Sequence, residues 1–156
     1  MKKGLKNVLL IILGVFGVAT MITPAFRALN SSSTSKIWTY SLYIRIFGGG
    51  NPKVGNTGLL TLAWILSLVA LVTTVIFIIF SFIDYEVSKK VNIITFSVIM
   101  IFYAVGGTLV ICAPYLIGNT YGAYLGLGSI LTSCFMYAGF IVSLIFVLYY
   151  SLGKEE

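Results

Sequence analysis

Residues 91–153 read VNIITFSVIMIFYAVGGTLVICAPYLIGNTYGAYLGLGSILTSCFMYAGFIVSLIFVLYYSLG and contain no Asp, Glu, Lys or Arg. A helix rises about 1.5 Å per residue and the hydrocarbon core of a bilayer is about 30 Å thick, so roughly 20 apolar residues cross it once. This stretch is therefore long enough for two crossings and a turn. Turn-forming residues gather in its middle, namely Pro114, Gly118, Asn119, Thr120 and Gly122. The pattern predicts spans over 91–113 and 122–150, joined by an outer turn at 114–121.

Two further charge-free stretches complete the predicted fold. No charged residue occurs in 7–26 or in 59–83, and Arg27 and Asp84 come directly after these stretches. Each stretch predicts one more span. The chain of 156 residues is 59% hydrophobic and 9% charged, a balance at which a soluble domain would aggregate. We therefore predict an all-α integral membrane protein, one domain over 1–156, built as an antiparallel bundle of four transmembrane helices.

The first charge-free stretch also resembles a cleaved signal peptide. Lys2, Lys3 and Lys6 precede it, and the small residues Ala19 and Thr20 lie near its end. Its length of about 20 residues is nearer to a full crossing than to a signal core, and no Ala-x-Ala cleavage site follows it. The sequence therefore favours a membrane span here, with a cleaved signal as the alternative.

The distribution of Lys and Arg predicts how the chain is threaded. With four spans, both termini lie on one side together with the inner loop 84–90, and this side carries Lys2, Lys3, Lys6, Lys89, Lys90 and Lys154. The outer loop 27–58 carries Arg27, Lys36, Arg45 and Lys53. Cytoplasmic segments carry the excess of basic residues, and the first helix usually dominates, so both termini are predicted to be cytoplasmic. The Ile-, Lys- and Phe-rich composition favours a bacterial plasma membrane.

The outer loop contains a segment of strand-like composition. Residues 37–47, IWTYSLYIRIF, are rich in β-branched and aromatic side chains and show no helical stripe, which predicts an extended strand. Glycines at 48–50 end it, and 53–58 could return as the second strand of a short hairpin. Because a two-stranded hairpin is marginally stable alone, we expect it to rest on the helix ends, on lipid, or on a partner.

Five residues of this loop are candidate interaction residues: Trp38, Tyr40, Tyr43, Arg45 and Lys53. The aromatic side chains either form an assembly surface on the strand or belong to the interfacial aromatic belt. The cations have no acidic side chain to balance them on the predicted outer side. They either solvate the loop or attract an anion, an acidic polymer or lipid phosphates.

Small residues recur at helical spacing and predict close helix packing. In and before the fourth span they are Gly118, Gly122, Gly126, Ser129 and Ser133, and in the first span they are Gly14 and Gly17. Small residues on one face let another helix approach closely. That helix belongs either to the same bundle or to a second protomer.

The sequence offers no catalytic or metal-binding constellation. The chain has no His, and the glycines at 48–50 lack the Lys-Ser/Thr of a phosphate-binding loop. Asp84 and Glu86 are two residues apart, do not share a helical face and are expected to be helix caps. Cys112 and Cys134 are predicted to differ in depth by roughly 15 Å, so we expect no disulfide. We expect no enzymatic activity, cofactor, metal site or nucleic-acid partner.

In topology the chain resembles the claudin-like tetraspan proteins. The shared features are four spans, internal termini and a strand-forming first outer loop that carries Trp38. The loop departs from that family because it has neither the Gly-Leu-Trp motif nor the pair of cysteines.

These features predict an interaction protein. We expect a small assembly, accessory or scaffold subunit that uses its outer loop and its small-residue helix faces to bind another membrane protein or a second copy. The alternative is an oligomeric passive channel or anion-attracting pore, with the outer cations as a funnel and hydroxyl groups as the lining. The predicted spans contain no ionisable Asp, Glu, Lys, Arg or His, which argues against ion-coupled transporters, voltage sensors and proton pumps.

Overall fold

A computed structural model describes the backbone of residues 3–29, 37–41, 58–121 and 127–152, and the side chains of 4–23, 61–112 and 128–152. The elements in chain order are α1 (Lys3–Ile22), β1 (Pro24–Leu29), β2 (Ile37–Ser41), α2 (Gly58–Phe82), α3 (Lys89–Tyr121) and α4 (Leu127–Leu152).

All four helices are long and apolar enough to cross a bilayer. The apolar windows are Gly4–Ile22, Thr61–Phe82, Lys89–Cys112 and Gly128–Leu152, with mean hydropathies of 2.2, 2.7, 2.2 and 2.2. Each matches the roughly 20 residues that one crossing requires. The prediction of an integral membrane protein with four spans, packed as a helical bundle, is confirmed.

The helices pack antiparallel to their neighbours around a closed ring. Between α3 and α4, Phe96 stacks on Phe146 at a centroid distance of 4.4 Å, and Gly107 accepts a hydrogen bond from Ser133. The later residue of α3 thus contacts the earlier residue of α4, so the two helices run in opposite directions. The same reasoning applies to α1 and α2, α2 and α3, and α1 and α4. We call the end where α1 begins and α4 ends the terminal end, and the opposite end, where β1 follows α1, the strand end.

The bundle interior combines large apolar side chains with small hydroxyl residues. The largest fully buried side chains are Leu10, Leu13, Phe96, Ile99, Tyr103, Val110, Met136 and Phe146. Buried serines and threonines lie among them, including Thr20, Ser67, Thr74, Ser133 and Ser143. Many of the exposed side chains are Ile, Val and Leu, as expected where the helices face lipid rather than water.

The first helix ends earlier than the predicted span. It stops at Ile22, and Thr23 donates the last helical bond, from its N–H to Ala19 O at 3.0 Å. Pro24 follows; it has no N–H and disfavours helical geometry in the residue before it. Residues 24–26, predicted to lie in the first span, therefore belong to β1.

The third helix is longer than the predicted span. The turn predicted at 114–121 is absent, because the backbone of α3 stays helical to Tyr121. Proline is tolerated within membrane helices, where neighbouring groups satisfy the carbonyl that it leaves unbonded. The helix thus ends eight residues beyond the predicted end of the third span at 113, and the predicted start of the fourth span at 122 lies outside the described residues.

The two strands form an antiparallel pair at the strand end. Leu29 pairs with Ile37 and Arg27 with Thr39, with an irregularity between Pro24 and Phe26. The strand predicted at 37–47 thus contains β2, but β2 pairs with β1. The predicted return strand at 53–58 lies outside the described residues except for Gly58, which begins α2. β1 also contacts α3 and α4, so the pair rests on the bundle.

Candidate functional site

Gly14 and Gly17 allow α1 to approach its neighbours closely. A Cβ at Gly14 would lie 3.2 Å from Ile78 Cδ1, and a Cβ at Gly17 would lie 2.8 Å from Leu71 Cδ1. A Cβ essentially never lies within 3.0 Å of such a neighbouring atom, so position 17 accepts only glycine unless the neighbour shifts. Both predicted small residues of α1 therefore contact α2 within one chain.

The predicted small residues of α4 are also buried within the bundle. Ser129 and Ser133 are 0% and 1% exposed, and Ser133 donates a hydrogen bond from Oγ to Gly107 O at 3.1 Å. Gly118 lies in the helical backbone of α3, whereas Gly122 and Gly126 lie outside the described residues. The small-residue positions whose surroundings are described pack helices of the same chain together.

Gly139 is a packing residue that the sequence analysis missed. A Cβ there would lie 3.0 Å from two ring carbons of Tyr103. Gly139 precedes Ser143 by four residues, and Ser143 is buried and donates to Gly139 O at 2.8 Å. The small-xxx-small spacing at 139 and 143 was the signal that could have identified it.

Six of the described hydroxyl groups in the spans bond to carbonyl groups of their own helix, namely those of Thr20, Thr73, Thr74, Thr108, Thr132 and Ser143. Thr20 Oγ1 donates to Gly17 O at 2.7 Å, and Thr74 Oγ1 donates to Ala70 O at 2.8 Å. Thr132 also contacts Thr23, the residue directly after α1, through a 3.1 Å hydroxyl bond. These hydroxyl groups therefore bond to backbone carbonyls and join helices, which makes them less available to line a path for water.

A polar pocket opens at the terminal end of the bundle. Its volume is about 440 Å³, which is within the usual range for small-molecule sites. We call it the terminal pocket, and it is lined by Lys6, Phe80, Ser81, Asp84, Tyr85, Glu86, Val87, Asn92 and Tyr150. All four helices and the link between α2 and α3 contribute to it, so sequence spacing could not reveal it.

Hydrogen bonds hold the polar wall of the terminal pocket in place. Asn92 is 6% exposed and donates from Nδ2 to Val87 O at 2.9 Å, which ties α3 to the link before it. Ser81 is 7% exposed and donates to Asn7 Oδ1, which ties α2 to α1. Asp84 adopts a left-handed φ of 56°, which turns the chain out of α2.

Three aromatic rings also line the pocket, those of Phe80, Tyr85 and Tyr150. Phe80 and Tyr85 lie with ring centroids 5.0 Å apart. Tyr150 is stacked against Phe96 at 6.1 Å, and Phe96 is stacked against Phe146. The pocket therefore lies next to the packed aromatic core of the bundle, which it contacts through Tyr150.

The structure places only part of the predicted outer-loop set. Trp38 and Tyr40 lie in β2, in register with Ala28 and Phe26 of β1. Tyr43, Arg45 and Lys53 lie outside the described residues. Among the described residues, no group of three His, Cys, Asp or Glu side chains could hold a metal ion. Cys112 and Cys134 carry free, exposed thiols.

Comparisons with known proteins do not assign the chain to a family. No protein-family model matches it. No curated protein and no solved structure matches it either. Its function is therefore inferred from the residues and their geometry.

Proposed function

We propose that this protein is a non-enzymatic assembly or accessory subunit of the membrane, and that it binds its partner through the strand end. The partner is a second membrane protein or another copy of the chain. The proposed orientation has both termini in the cytoplasm of a bacterium and the strands outside the plasma membrane. The three lysines ahead of the first span, Lys2, Lys3 and Lys6, support that orientation.

One observation carries this proposal, namely the support of β1 by the helices. β1 contacts α3 and α4 on the bundle and pairs with β2, so β2 is an edge of the two-stranded sheet that the described residues form. An edge strand presents unpaired N–H and C=O groups, which can pair with a strand of another chain. Trp38 and Tyr40 of β2 are of the residue types enriched at protein interfaces.

The internal use of the small residues also supports docking at the strand end. Gly14, Gly17, Ser129 and Ser133 are buried within the bundle. These positions are therefore occupied by helices of the same chain, which leaves the strand end as the better supported part of the predicted assembly surface.

Deletion of residues 37–47 tests the proposal. We expect the variant to insert with four spans and to lose its co-purifying partner or its self-association, because the edge strand is gone. Retained assembly at wild-type level would contradict the role of this segment. A fluorescent C-terminal fusion and limited proteolysis of membrane vesicles would check that insertion is unchanged.

The alternative proposal is an oligomeric channel. It is less well supported, because Phe96, Tyr103 and Phe146 are buried in the bundle interior at 0% exposure, so a water path would have to run between protomers. It predicts a conductance in reconstituted vesicles that depends on salt and is lost when Arg45 and Lys53 are replaced by Gln. Absence of conductance at any salt concentration would exclude it.

A further inference from the structure

The terminal pocket contains both signs of charge and several aromatic rings. From these features we propose that it binds a zwitterion in which a primary ammonium lies close to an anionic group. The phosphoethanolamine headgroup of a phospholipid and a free small zwitterion share this chemistry. The proposal is independent of docking at the strand end.

The charges of the pocket point to a ligand that carries both signs. One lysine, Lys6, and two carboxylates, those of Asp84 and Glu86, line it. A simple anion would be repelled by the two carboxylates, and a simple cation would be repelled by the lysine. A zwitterion pairs its anionic group with Lys6 and its ammonium with a carboxylate, so both ends form charge-assisted hydrogen bonds.

The uncharged lining is suited to an ammonium group. Phe80, Tyr85 and Tyr150 place three aromatic rings around the pocket, and ring faces attract cations. Asn92 uses one of the two N–H donors of Nδ2 for Val87 O, which leaves its acceptor Oδ1 and one N–H for a ligand. A primary ammonium has three N–H donors and can use such acceptors, whereas a quaternary ammonium cannot.

The position of the pocket matches the depth of lipid headgroups. Lys6 lies near the start of the window Gly4–Ile22, and Tyr150 lies near the end of the window Gly128–Leu152. The ends of such windows lie where the hydrocarbon core meets the polar headgroup layer. A headgroup or a small solute from the aqueous phase can therefore reach the pocket without crossing the hydrocarbon.

Native mass spectrometry of the full-length protein in mild detergent tests this inference. The probes are phosphatidylethanolamine, phosphatidylcholine and phosphatidylglycerol with identical acyl chains, and soluble phosphoethanolamine is tested separately by thermal shift. We expect phosphatidylethanolamine to bind about tenfold more tightly than either other lipid, because loss of one charge-assisted hydrogen bond is of that size. Binding of soluble phosphoethanolamine alone would assign an aqueous source, and binding of the lipid alone would assign a membrane source.

Variants connect the binding to the pocket. Glu86→Gln and Lys6→Gln should each weaken binding of the ethanolamine probe about tenfold. Lys90→Gln is the matched control for charge, because Lys90 is exposed at the same end and does not line the pocket, and it should leave binding within twofold. Glu86 is exposed in the link, so its variant remains informative if Lys6→Gln fails to fold.

Three results would overturn the inference. They are equal binding of the three lipids with no binding of soluble phosphoethanolamine, unchanged binding in both Glu86→Gln and Lys6→Gln, and an equal loss in Lys90→Gln. The first result would show that the ammonium group is not recognised, and the other two would show that the terminal pocket is not the binding site.

Discussion

Tyr103 of α3 lies against Gly139 of α4, where a Cβ would be 3.0 Å from ring carbons Cδ2 and Cε2. The phenol then reaches across the bundle, so that its hydroxyl oxygen would be 2.9 Å from a Cβ at Gly17 of α1. Tyr103 is fully buried, and its hydroxyl has no hydrogen-bond partner among the described residues. One side chain thus connects three helices, and two glycines provide the space for it.

Gly139→Ala should destabilise the bundle. The added methyl group meets a large buried ring that has little room to move, and overpacking of this kind typically costs about 1–3 kcal/mol. The measurement is the free energy of unfolding in mixed micelles. Gly4→Ala is the control, because a Cβ there meets nothing within 4 Å, and it should be neutral or slightly stabilising. Equal stability of both variants and wild type would contradict the packing described here.

Tyr103→Phe should stabilise the protein by about 1 kcal/mol, since it removes a buried hydroxyl that has lost its solvation without gaining a partner. Tyr137→Phe is the control, because the Tyr137 hydroxyl lies 3.0 Å from Thr108 Oγ1. That variant should lose about 0.6 kcal/mol, the average for hydrogen bonds between membrane helices. Thermal unfolding in detergent compares the two, and a loss of stability in Tyr103→Phe would mean that the hydroxyl has a partner.

Cys134 should be inaccessible to water-soluble reagents in intact vesicles. Its thiol is exposed on α4, about seven residues inside the window Gly128–Leu152, so it faces lipid, and a water-soluble reagent does not enter the hydrocarbon. In a chain that also carries Cys112→Ser, we expect slow labelling by a lipid-soluble maleimide, which can reach the thiol, and none by a membrane-impermeant one, which cannot. Ser88→Cys, introduced into the same chain with Cys134→Ser, is the control. Ser88 is exposed in the link, so both reagents should label it in opened vesicles.

Arg27→Cys combined with Thr39→Cys should form a disulfide. The two residues pair directly across β1 and β2, where Cα atoms lie about 4.5–5.5 Å apart, within the reach of a disulfide. Mass spectrometry of peptides from a chain without its native cysteines would detect the bond. Arg27→Cys with Ile37→Cys is two residues out of register and should crosslink much less. Equal crosslinking in both chains would contradict the register.

Charge-free stretches were sufficient to predict the number and type of helices, because burial of charge in hydrocarbon is costly at every position of a span. Helix ends depend on local chemistry that hydropathy does not record. α1 ends at Ile22, two residues before Pro24, whereas α3 continues past Pro114. Proline has different consequences at a helix end and inside a membrane bundle.

Contacts between distant parts of the chain could not be predicted in this way. The pairing of β2 with β1 could not be predicted, because the sequence of residues 24–26 continues the apolar stretch of the predicted first span. The terminal pocket joins Lys6, Glu86, Asn92 and Tyr150, which are far apart in sequence. The sequence predicts only helix caps at Asp84 and Glu86, because it does not show that the other helix ends lie beside them.

The native mass of the affinity-tagged protein, purified from host membranes in mild detergent, tests the central claim most directly. We expect the wild-type chain to carry a foreign subunit or further copies of itself, and deletion of 37–47 to release a bare, correctly inserted monomer. A bare monomer for the wild type, or an unchanged complex after the deletion, would contradict assembly through the strand end.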